Sequence, residues 1–208
     1  MVNQTQAAGM KIGAEFRSGQ WPALRQRLQA NEPGAWREAV GLLHHRLGDR
    51  YLSHAGQLLG RQHSGFAVLA VDCAVIEAFE QFRRGVPRTP WKQSGAFFKA
   101  FLTTTRFKAF FTTKMAKLFY DTLRCGILHQ AEAEADSLVK RKRAAFVVQL
   151  SPSGAGLVIN ARRFHEELEA AFNDYKEALL RGDTGLRSHF IKKMNHIARI
   201  LQGGGGVV

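Results

Sequence analysis

The stretch from Phe66 to Phe82 constrains the fold of this chain more than any other. Val68, Val71, Val75, Phe79 and Phe82 recur at helical spacing, and Phe66, Leu69, Cys73 and Ile76 form a second stripe beside them. A helix that is apolar around most of its circumference has to be central, with other elements packed on several sides. Two carboxylates, Asp72 and Glu77, interrupt it. A carboxylate on such a helix either stands on its narrow wet edge or needs a cation or several donors.

The rest of the chain supplies what packs around this helix. Trp21-Pro22 opens a short helix, because a proline in the first turn gives up an N–H that would be unpaired anyway. Pro33-Gly34 interrupts it, and Trp36, Val40, Leu43, Leu47 and Tyr51 mark a further helix over 35–59. Gly85 and the prolines of VPRTP end the central helix. Ser94 is placed to cap the next one, which carries Phe97, Phe98 and Phe101. The threonines at 103–105 mark a break before Phe107, Phe110 and Phe111. These aromatics, interleaved with Lys99, Arg106, Lys108 and Lys114, suit either core packing or a base-stacking platform.

A helix follows from Lys114 to Leu138, with Ala116, Phe119, Tyr120, Leu123 and Ile127 on its buried stripe. On it, Glu132, Glu134 and Asp136 read as a solvated face. FVVQL and LVIN, joined through SPSGAG, give a small β-hairpin near 145–159. Asn160 then caps the first helix of a C-terminal helical hairpin over 160–201. The expectation is an all-α fold, a helical bundle with one β-hairpin insertion, as a single domain over 21–202 between flexible ends at 1–20 and 203–208.

Charge narrows the partners. The chain carries 30 Lys and Arg against 17 Asp and Glu, a net charge of +13, which implies an anionic partner, with nucleic acid ahead of membrane. The excess is uneven: Gln81 to Arg143 holds 14 basic residues and 4 acidic ones. Within it, Lys140, Arg141, Lys142 and Arg143 form a basic run suited to a phosphate backbone, or simply to a solvated linker. Cys73 and Cys125 have no disulfide or zinc spacing, so both are expected as free thiols in a reducing compartment. With no signal-like start and no membrane-length apolar run, the expected location is cytoplasmic.

Chemistry centres on FYDTLRCGILHQ, residues 119–130, where Arg124 precedes His129 by five positions. Histidine moves protons near neutral pH, and arginine offers phosphate a fixed fork of donors. On an ideal helix the two side chains project about 140° apart. A shared site therefore needs a distortion near Gly126 or a partner packed against the helix, such as the same helix of a second subunit. Glu77 is the better placed of the two carboxylates to orient Arg124. His44, His45 and His54 lack further ligands at metal spacing, so no metal and no cofactor is expected.

The segment RCGILH resembles the signature of the HEPN superfamily, an arginine and a histidine on a late helix of a small helical bundle. AVDCAVIEAFEQFRRG, FFKAFL, RRFHEELEAAF and LRSHFIKKM extend the likeness to a bacterial, often plasmid-borne subfamily over roughly residues 60–201. The resemblance implies metal-independent RNA cleavage by a homodimer whose two motifs meet in one cleft, often in toxin–antitoxin or phage-defence systems with a partner protein. His129 would then be the general acid or base and Arg124 the phosphate clamp, with Glu77, Tyr120 and Cys125 in support. Active ribonucleases of the superfamily usually carry a polar residue where this chain has Cys125. A catalytically inactive module that binds RNA or protein is the alternative.

Overall fold

The computed structural model describes residues 9–13, 15–141 and 145–202. It is mainly helical, with a small three-stranded sheet. The helices are α1 (Trp21–Gln29), α2 (Ala35–Leu43), α3 (Ser53–Leu58), α4 (Gly65–Arg84), α5 (Ser94–Thr104), α6 (Thr113–Leu118), α7 (Cys125–Gln130), α8 (Ala161–Arg181) and α9 (Thr184–Gln202). A π-helical stretch, His44–Leu52, joins α2 to α3, and a second, Phe119–Arg124, joins α6 to α7. No described helix is long and apolar enough to cross a membrane.

Internal contacts divide the chain into two compact units where the sequence suggests one body. Of the described residues, the first takes those within 1–48, 81–87 and 176–208, and the second takes those within 49–80 and 88–175. In the first, Phe190 on α9 is the hub. It stacks on Phe82 at 5.8 Å and meets the edges of Trp21 and Trp36. Arg187 lies over the Trp36 ring at 4.4 Å, and Trp21 donates its indole N–H to Asn195 at 2.8 Å. Lys193 is buried and donates to the Gln81 and Pro87 oxygens, and burial draws its amine down to about 8. Part of the expected flexible start is folded: Met10 accepts from the Ser18 N–H, and Ile12 is fully buried.

The second unit is built on phenylalanine. Phe79 on α4 packs edge-on against Phe101, Phe172 and Tyr175, while Phe119 and Phe164 stack at 5.1 Å and 9°. Phe97, Phe98, Phe101, Phe107 and Phe111 are all buried, which removes them as a stacking surface for bases.

Three expectations change. The buried stripe of α2 continues to Leu47 but then passes to Leu52, leaving Tyr51 exposed. The wider π turn between them shifts the helical register by one residue. The helix through the Arg124 region ends at Gln130, well short of Leu138, because Ala131 turns left-handed at φ 57°. Alanine and glutamate favour helix beyond this point. The chain instead folds back, giving the Glu134 N–H to the Thr122 carbonyl at 2.8 Å and setting Ser137 Oγ 2.8 Å from Thr122 Oγ. Glu132, Glu134 and Asp136 therefore lie in a loop.

That return also adds a strand. β1 (Leu138–Lys140) pairs parallel to β3 (Leu157–Asn160), and β2 (Val148–Leu150) pairs with β3 from the other side, antiparallel. The expected hairpin is the β2–β3 pair, and β3, in the middle, is buried along its whole length. Asn160 caps α8 by accepting the Arg163 N–H at 3.0 Å. Ser94, by contrast, is the first residue of α5, and its hydroxyl turns to Glu77.

Candidate functional site

Arg124 sits at the end of the second π stretch, with its side chain 16% exposed. Its Nη2 donates to Glu77 Oε2 at 3.1 Å, and Ser94 Oγ donates to the same oxygen at 3.1 Å. The guanidinium carbon lies 5.5 Å from the Tyr120 ring and 5.8 Å from that of Phe98. Burial works against the charge, but the Glu77 hydrogen bond and charge outweigh it and hold the guanidinium above its usual range. Nε is buried with no hydrogen-bond partner among the described residues. The structure thus brings Arg124, Glu77, Tyr120 and Ser94 into one cluster with a fixed cation at its centre. Ser94, expected only as a helix cap, joins the cluster through packing between elements distant in sequence.

His129 is not part of that cluster. It stands exposed near the end of α7, and its side chain makes no hydrogen bond or ion pair among the described residues. The helix is regular from Cys125 to Gln130, with no distortion at Gly126 to bring His129 round to Arg124. The irregular turn runs from Phe119 to Arg124 and ends before Gly126. Gly126 has another role: a Cβ there would come within 2.4 Å of the Glu132 carbonyl oxygen on the returning loop. Helix propensity alone favours alanine by about 1 kcal/mol. Gly126→Ala is nonetheless expected to destabilise the chain by about 1–3 kcal/mol, read as a lower urea midpoint, because backbone has to move.

Cys125 is half-buried beside Arg124 in sequence, and both cysteines are free. Burial pushes the Cys73 thiol far up, so it stays protonated. Of the basic run, Lys140 is exposed on β1, while Arg141 points back and donates to the Leu59 carbonyl at 3.1 Å. Arg162 donates to the same oxygen at 3.2 Å. Arg141 also borders a cavity of about 390 Å³ with His63, Phe66 and Val139. Lys142 and Arg143 lie outside the described residues. Among those described, no group of three or more His, Cys, Asp or Glu is arranged to hold a metal.

A second polar centre lies in the phenylalanine-rich unit. His165 on α8 is 1% exposed, with Nδ1 2.8 Å from Asp72 Oδ1 and Nε2 3.6 Å from Glu169 Oε1. Burial alone would lower the imidazole, but the hydrogen bond to Asp72 and the nearby Glu169 carboxylate win, and it is pushed up to about 9. Burial raises the Asp72 carboxyl as well, against the hydrogen bond and charge of His165, which favour its ionised form. Gly56 leaves the room: a Cβ there would lie 3.3 Å from His165 Nε2. Asp72 signalled this centre from the sequence, since it interrupts an apolar helix. Nothing local marked His165 as its partner.

Comparison with known protein families, curated proteins and solved structures finds no match for this chain.

Proposed function

We propose that this chain is a metal-independent endoribonuclease of the HEPN type that works as a homodimer in a toxin–antitoxin or phage-defence setting. The observation that carries the reading is an exposed, unengaged histidine on the same helical run as an arginine whose orientation Glu77 fixes. The net charge of +13 agrees with an RNA substrate. In this reaction the 2′-hydroxyl attacks the adjacent phosphorus, the bond to the 5′-oxygen breaks, and a 2′,3′-cyclic phosphate remains. One His129 takes the 2′ proton and the other, across the two-fold axis, gives a proton to the leaving oxygen. Arg124 offsets the charge that develops on the phosphoryl oxygens. Two copies are needed because the helix splits Arg124 from His129 and because one imidazole cannot serve as acid and base in the same step.

Incubating the protein with mixed cellular RNA in EDTA tests this, the expected products being fragments with cyclic phosphate ends. A second reading, a catalytically silent module that binds RNA or protein, is favoured by one observation. Arg124 is mostly buried and already neutralised by Glu77, as in an internal ion pair. RNA that is bound but never cut, with or without divalent metal, would select that reading.

A further inference from the structure

Trp91 is 86% exposed, whereas Trp21 and Trp36 are buried. A tryptophan left in water on a folded surface offers a large flat apolar face to a partner. Its surroundings specify which kind. Residues 86–120 contain no Asp or Glu and seven Lys or Arg. Two of these cations are engaged: Arg106 with Glu167 and Asp174, and Lys117 with Asp121. Arg88, Lys92, Lys99, Lys108 and Lys114 are exposed, and their side chains pair with no described residue. Lys92 follows Trp91 directly, and Arg88 lies three residues before it. An aromatic face between uncompensated cations suits a single nucleic-acid strand, whose bases stack while its phosphates take the charge.

The position of Trp91 ties it to the cluster around Arg124. Ser94 is three residues further along, a chain reach of at most about 11 Å, and its hydroxyl shares the Glu77 oxygen that Arg124 uses. Gly95 faces the Tyr120 ring, which a Cβ would meet at 3.2 Å. The start of α5 is therefore packed on the candidate site, and Trp91 precedes it by three residues. Of the phenylalanines interleaved with cations further along, Phe97, Phe98, Phe101, Phe107 and Phe111 are buried and cannot take this part, and Phe110 is half-buried.

We infer that Trp91 is a base-stacking residue which, with Arg88 and Lys92, holds single-stranded RNA beside the Arg124 site. The inference takes its choice of RNA from the proposed function but does not require cleavage.

The test uses the full chain carrying His129→Ala, so that bound RNA stays intact. The probes are a 12-residue oligouridine, an RNA duplex of the same length and inorganic polyphosphate. Oligouridine should bind and change the tryptophan fluorescence, which reports Trp91 because the other two indoles are buried. Adding Trp91→Ala should weaken oligouridine at least about fivefold and leave polyphosphate unaffected. Trp91→Phe should keep most of the affinity while abolishing the fluorescence change. The duplex, whose bases are already stacked, should respond little to either substitution. Equal oligouridine affinity with and without Trp91, or an equal loss for polyphosphate, would overturn the inference. So would a dimer that falls apart on Trp91→Ala by light scattering, since Trp91 would then cover a second copy. Stacking that depends on Trp91, in a protein whose unsubstituted form never cuts RNA, would uphold this inference and reject the proposed activity.

Discussion

Replacing His165 with alanine should lower the stability of the fold by about 3–5 kcal/mol, the usual cost of removing one partner from a buried ion pair. Asp72 is fully buried and its Oδ2 has no hydrogen-bond partner among the described residues, so removing the imidazole takes away its one hydrogen-bonded cation there. The double substitution Asp72→Leu with His165→Leu should recover most of the loss, because two apolar groups need no partner. Urea midpoints of the three proteins check this. A single substitution as mild as the double one would show that the pair carries little of the fold. The pH dependence follows from the same geometry. The folded imidazole is raised to about 9 from an ordinary value near 6.5, so its contribution is complete below about 6.5 and is lost as pH rises through about 9. His165→Ala should abolish that alkaline loss. Glu169, which faces the other ring nitrogen, is held below its usual range by His165 and should rise when the ring is removed.

The second large effect concerns activity. His129→Ala should reduce RNA cleavage by about 10²–10⁴-fold or more, the range set by loss of a proton-transfer group. It should change stability by no more than about 0.5 kcal/mol, since the side chain is exposed and unpartnered. Arg124→Ala should behave differently and lose activity and stability together, because it strands Glu77 and removes the packing on Phe98 and Tyr120.

Much of the fold was legible in the sequence because it follows from periodicity. The long α4, the break at Thr103–Thr105, the Asn160 cap and the two C-terminal helices α8 and α9 all rest on local patterns of apolar and capping residues. What escaped depends on partners distant in sequence. The helix end at Ala131 runs against local propensity and is enforced by Thr122 and Ser137. β1 exists because β3 lies beside it, and the outward turn of Tyr51 needs a π register that no apolar pattern encodes. The cluster was legible in part: Glu77 stood out as a carboxylate on an apolar helix, and it does meet Arg124. Ser94, His165 and the exposure of Trp91 are products of tertiary packing.

The central claim is that His129 performs chemistry. Its most direct measurement is cleavage of one labelled single-stranded RNA in EDTA by the unsubstituted protein and His129→Ala side by side, with the ends of the products identified. The account predicts 2′,3′-cyclic phosphate ends from the first and intact RNA from the second, with matching circular dichroism spectra. Equal cleavage by both proteins would contradict it.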